Sequence, residues 1–174
     1  MGLDTVEILM TWEQAFDLSI PNEDAERMQT PQMAIDYLCS RLDAVEGSSM
    51  CPTLRGFHQL RNGLCSSSGV SRHEVKLEVP LRRFYRGRSR LEFWAAFVQE
   101  TGFTRLKPPG LLCWNKSVAD LLDDLMTTGI AHVRDPNQPW SRPIVRAAVR
   151  TSVRQYVTRR FHDHEHFIRD LKLD

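Results

Sequence analysis

His162, His164 and His166 alternate with Asp163 and Glu165 near the end of the chain. On an extended segment alternate residues share one side, so three imidazoles could converge on a metal ion. A solvated polar loop accounts for the same composition without metal, and no bound metal is expected. The run RRFYRGRSR, residues 82–90, brings five arginines and two aromatic rings together. Guanidinium groups pair with phosphate and aromatic rings stack on bases, so the run suits a phosphate or a nucleic acid. No nucleic-acid fold signature accompanies it, so nucleic acid is not an expected partner. There is no Ser/His/Asp order, Gly-rich phosphate loop or zinc-hydrolase motif. An enzyme is not expected.

The elements that would hold these residues read as helices almost throughout. Leu3, Val6, Leu9, Met10 and Phe16 suggest the buried face of a helix over 3–16, with Asp4, Glu7 and Glu13 off that stripe. Asn22, Glu23 and Asp24 suit a short helix start, where free N–H groups favour acceptors and negative charge. Thr30-Pro31 predicts another start, because Thr caps and Pro at the first position loses no bond. That helix, 31–43, is expected to turn Met33, Ile35, Leu38 and Leu42 inward. EGSSMCPT (46–53) is a linker by composition. Next comes a helix over 54–66 on Leu54, Phe57, Leu60 and Leu64. Val75–Leu81 is read as a loop rather than an edge strand, since Pro80 interrupts it. Leu91–Thr101 is a helix expected to use Leu91, Trp94, Ala95 and Val98, and it ends at Gly102. Ser117–Met126 is another helix, residues 128–139 a second linker, and 144–160 a last helix. The tail FHDHEHFIRDLKLD reads as polar and mostly non-helical.

Charge is unevenly placed. Residues 1–46 hold ten acidic groups against two basic ones, while the whole chain carries a net +1. Either the two signs neutralise one another within the fold, or an acidic face is kept for a basic partner. No apolar run reaches the length that spans a bilayer, and no signal-peptide pattern is visible, so a cytoplasmic location is expected. Cys39, Cys51, Cys65 and Cys113 are scattered, which favours reduced thiols over a disulfide framework or zinc knot. Trp12, Trp94, Trp114 and Trp140 are expected as core or inter-module contacts.

The stretch LDTVEILMTWEQAFDLSIPNEDAERMQTPQMAIDYL (3–38) resembles the second half of an acyl carrier protein. Leu3-Asp4-Thr5-Val6-Glu7, Phe16, Ile20-Pro21, Asp24-Ala25-Glu26 and Ile35-Asp36-Tyr37-Leu38 fall in the family's register. In that family a serine at the start of the second helix carries 4′-phosphopantetheine, and the helix N-terminus favours the phosphate. Here Gly2 occupies the serine position and Met1 the position before it. Glycine has nothing to esterify, so the resemblance implies a unit without the prosthetic group. The tail Phe167-Ile168-Arg169-Asp170-Leu171-Lys172-Leu173-Asp174 is similar to the family's segment just ahead of the serine. Joining Asp174 to Met1 restores the family pattern, which implies a circular permutation opened at the prosthetic-group loop.

The expected fold is therefore all-α. It comprises a permuted carrier-like four-helix bundle from residues 1–45 and 140–174, linkers at 46–52 and 128–139, and a second, degenerate carrier-like unit at 53–127. In that inner unit Ser89 lies near the loading position, but its flanks Arg88 and Arg90 reverse the expected acidity, so Ser89 is read as an N-cap or exposed residue. The resemblance implies a non-catalytic interaction protein linked to acyl or polyketide metabolism, with no cofactor. Its acidic helix would meet a basic surface of a synthase or transferase through Asp4, Glu7, Glu13 and Asp17. The competing role for these acids is a solvated face or ion pairs with Arg82, Arg83, Arg86 and Arg88. Alternatives are a true carrier completed by another chain or by an upstream start. A metal- or phosphate-binding protein using the His162–His166 cluster or the Arg82–Arg90 run is the remaining one.

Overall fold

The computed structural model describes residues 2–47, 51–108, 110, 116–135 and 137–174. Met1, the linker residues 48–50, Cys113 and Trp114 lie outside them. Among the described residues all regular structure is helical. They divide into two units, Met1–Pro52 with Arg134–Asp174, and Thr53–Val133.

The first unit holds α1 (Leu3–Phe16), α2 (Asn22–Arg27), α3 (Pro31–Arg41) and α8 (Arg142–Arg154). Thr30 caps α3 by accepting from Met33 N at 3.2 Å, with Pro31 at the first helical position. Arg142 N donates to Val45 O (2.8 Å) and Val45 N to Trp140 O (2.9 Å), so a short parallel pairing ties the end of α3's loop to the start of α8. The core is formed by Ile8, Trp12 and Phe16 of α1, Ala34, Ile35 and Leu38 of α3, and Val145, Ala148, Val149 and Val153 of α8.

Three expectations for this unit are corrected. Leu3, Val6 and Met10 are exposed; α1 buries Phe16 as expected, together with Thr5, Ile8, Trp12 and Ala15. Both sets recur at helical spacing on opposite sides of the helix, so periodicity alone does not choose between them. Met33 is likewise exposed, and Ala34 takes its place inside. Helix α8 stops at Arg154 rather than Arg160, because i→i+3 bonds from Gln155 N and Tyr156 N tighten the last turn and carry Val157 inward.

The tail is less polar in place than in composition. Val157, Phe161, Phe167, Leu171 and Leu173 are all buried, each worth about 1.5–3 kcal/mol when fully removed from water. Backbone bonds fix its path: Gln32 N to Asp163 O (2.7 Å) and Phe167 N to Gln29 O (2.9 Å). Aromatic contacts follow, with Trp12 6.3 Å from Phe167 and Phe16 5.2 Å from Trp140, edge to face.

The second unit holds α4 (Pro52–Ser68), α5 (Arg90–Thr101), α6 (Val118–Thr127) and α7 (Ile130–Val133), with 3₁₀ turns at Arg72–Glu74 and Leu81–Phe84. Reciprocal capping boxes start α5 (Ser89 with Glu92) and α6 (Ser117 with Asp120). Gly102 ends α5 at φ 70°, a left-handed position that favours glycine. The core gathers Leu60, Leu64, Phe84, Phe93, Phe97, Phe103, Leu121 and Leu125. Leu54 and Leu91 are exposed, against expectation, since Leu60, Leu64, Phe93 and Phe97 already fill the face those helices bury. Residues 128–139 are not linker throughout: Ile130 and Val133 are fully buried in α7. Val75–Pro80 has no regular structure beyond an isolated antiparallel bridge between Pro80 and Ser117, and Leu81 opens a 3₁₀ turn.

Candidate functional site

Gly2 precedes α1 with φ −86° and ψ −178°, extended backbone open to any residue. Its glycine is required by proximity instead. A Cβ added at Gly2 would fall 1.4 Å from the carbonyl carbon and 2.2 Å from the carbonyl oxygen of Asp174. That oxygen accepts from Thr5 N and from Thr5 Oγ1, both at 3.3 Å, while Thr5 Oγ1 also reaches Gly2 O at 2.8 Å. Asp174 thus does the work of a cap for a helix that has no side-chain cap of its own. The Asp4 carboxyl is held above the usual carboxylate range, first by a hydrogen bond with the Asp174 side chain, then by desolvation and repulsion from the same group.

The acidic residues of α1 fall into different settings. Glu7 is exposed and its Oε2 accepts from Tyr156 Oη at 2.7 Å. Burial, and then that bond, push the Tyr156 phenol up to about 12. Glu13 Oε1 accepts from Ile20 N at 2.8 Å and so closes the loop after α1. Asp17 sits at the helix end with φ 55°. By helical spacing Glu7 and Glu13 border the exposed stripe Leu3, Val6 and Met10 from either side. Periodicity reads this stripe as core, so the apolar half of this surface is not legible in the sequence.

Behind α1 lies a cavity of about 160 Å³ lined by Thr5, Ile8, Trp12, Ala25, Met28 and Phe167. Its walls come from α1, α2 and the tail, a convergence for which the sequence carried no local signal.

The histidines do not converge. His162 and His164 stack with ring centroids 5.5 Å apart, whereas His166 Nδ1 accepts from Ile168 N (3.1 Å) and Arg169 N (3.4 Å). The segment turns at 162–165 instead of extending, because Phe161, Asp163 and Phe167 are drawn inward. Among the described residues no three His, Cys, Asp or Glu side chains form a metal-holding group. In the other unit, Arg82 and Arg83 are exposed, and Arg88 donates to Ser67 O and lies 5.7 Å over the Phe93 ring. Ser89 is exposed and caps α5. Cys39, Cys51 and Cys65 are free thiols, and burial raises the Cys39 thiol. Among the described residues no helix is long and apolar enough to cross a membrane.

No protein-family profile matches the chain, and no solved structure matches it. A segment of 40 residues, 23% of the chain, is 54% identical to the acyl carrier protein of Chlorobium phaeobacteroides. The acyl carrier proteins of Chlorobium phaeovibrioides and Chlorobium luteolum match to the same extent. The chain spans about half the length of these curated relatives, 51% of each. It therefore carries an acyl-carrier-like segment within an all-helical fold.

Proposed function

We propose that this chain is a non-catalytic, carrier-like interaction protein of the cytoplasm, linked to acyl metabolism and without a phosphopantetheine arm at Gly2. The observation that carries the reading is the contact between Gly2 and Asp174: the position lacks a hydroxyl, and backbone fills the place of the side chain that would bear one. The prosthetic group does not fit there. The same contact supports a carrier fold closed in permuted order by residues 140–174. The inner unit is read as a second, degenerate carrier-like module, in which Ser89 serves as a helix cap.

The working surface in this reading is the exposed side of α1, where Leu3, Val6 and Met10 lie among Asp4, Glu7, Glu13 and Asp17. Apolar contact with an acidic border suits a partner whose own patch is basic, since charge guides encounter and the apolar centre supplies affinity. Two measurements test this. Incubation with a phosphopantetheinyl transferase and coenzyme A should leave the mass of the chain unchanged; a gain mapped to any serine would overturn the unloaded reading and favour a true carrier. Titration with a purified ketoacyl synthase should give saturable binding that Glu7→Lys with Met10→Asp abolishes. Binding that is absent, or indifferent to those changes, rejects the partner surface.

A further inference from the structure

We propose that the arginine-lined cleft beside α8 binds a small ligand carrying two or more phosphate groups. Arg146, Arg150 and Arg154 stand one turn apart on the outer side of α8, which spaces successive side chains by about 6 Å along the axis. With Arg160, Phe161, His162 and Asp163 they line a cleft of about 610 Å³. That volume falls within the range of small-molecule sites, about 300–1,000 Å³.

The cleft is positioned before any ligand arrives. Asp163 is buried and accepts from Arg146 Nε at 2.7 Å and from Arg150, so one carboxylate orients two guanidinium groups. Arg150 also donates to Phe161 O at 3.1 Å and lies 4.6 Å over the Phe161 ring. The terminal nitrogens of Arg146 have no partner among the described residues. The Arg154 and Arg160 side chains have no partner among the described residues. Four guanidinium groups thus face one carboxylate, and the surplus positive charge calls for a multiply charged anion. Guanidinium forks match phosphate oxygens in pairs. Successive arginines stand about 6 Å apart along the axis, so a ligand with two phosphates engages more of the stripe than a single phosphate does. The lining runs from α8 to residues 160–163, so the donors converge on one cleft rather than on a single helix face. The site is separate from the α1 surface and does not depend on the carrier-like reading.

The test is calorimetric titration of the full chain with inorganic pyrophosphate at low and physiological ionic strength. Saturable one-to-one binding is expected, weakened about tenfold or more by the pair Arg154→Ala and Arg160→Ala, given the strength of charge-assisted bonds. Neither side chain has a partner among the described residues, so thermal unfolding should not change. The pair Arg82→Ala and Arg83→Ala should leave binding intact. Absence of saturable binding, or an equal loss from the Arg82 and Arg83 pair, would overturn the proposal. Inorganic phosphate binding as tightly as pyrophosphate would overturn the two-phosphate requirement. Displacement of pyrophosphate by a tighter-binding polyglutamate peptide would overturn it in favour of a protein-docking surface.

Discussion

The carbonyl carbon of Asp174 lies where a side chain at Gly2 would begin, 1.4 Å from the ideal Cβ position. Residue 2 is therefore a glycine for steric reasons that its backbone angles do not reveal.

Gly2→Ala should destabilise the chain by about 1–3 kcal/mol, the usual range for overpacking against atoms that cannot yield freely. Deleting Asp174 should remove most of that penalty, although it also exposes Thr5 N. Denaturant unfolding of both single variants and the double variant measures the coupling. Additive effects would place the two residues apart in solution.

Asp4 should make stability depend on pH in the direction opposite to an ion-paired carboxylate. Its folded-state pKa is raised by Asp174, so the native state favours the protonated form. The contribution is fully present below the ordinary carboxylate pKa and is lost as pH rises through the higher folded value. Asp4→Asn should consequently stabilise the protein at neutral pH and lose that advantage in acid. Unfolding midpoints measured from neutrality down to about pH 3, below the ordinary carboxylate value, would show it; a gain that persists unchanged at the acid end would reject the Asp4–Asp174 contact.

Tyr156 should ionise at about 12 rather than 10. Burial is the larger cause, so Glu7→Gln should lower the value only in part. Ring-labelled NMR titration follows this residue separately from Tyr37 and Tyr85. A complete return to the ordinary value in Glu7→Gln would make the carboxylate, not burial, the dominant influence.

Gly63 brings α4 against α5, and a Cβ there would lie 2.1 Å from Thr101 Cγ2. Alanine is the better helix former by about 1 kcal/mol, yet the clash should outweigh this and give a net loss of about 1–2 kcal/mol. Thr101→Ser removes the offending methyl while keeping the hydroxyl that bonds Phe97 O at 2.7 Å. The double variant should regain the lost stability in thermal unfolding; failure to do so would mean that the helices meet differently.

The starts of helices were legible because they are local. Thr30-Pro31, Ser89 and Ser117 announce α3, α5 and α6 through caps formed within three residues, which no distant contact needs to support. The all-α class followed from the same short-range signals, and so did the carrier-like segment, whose residues are consecutive. Which side of α1 faces inward was a different matter. Leu3, Val6 and Met10 compete with Ile8, Trp12 and Ala15 on spacing alone, and the choice fell to whatever α3, α8 and the tail could cover.

The site beside α8 shows the same division. Arginines four residues apart read as the solvated side of a helix, and Asp163 reads as one member of a polar tail. They become a cleft only because Phe161 and Phe167 are buried, which turns the chain between them and delivers Asp163 to Arg146 and Arg150. Sequence by itself determined the helices and the absence of a hydroxyl at residue 2. The tertiary structure decided which faces are buried, what stands beside Gly2 and which charges meet, because burial and long-range approach depend on the partners that cover each surface rather than on neighbours in the chain.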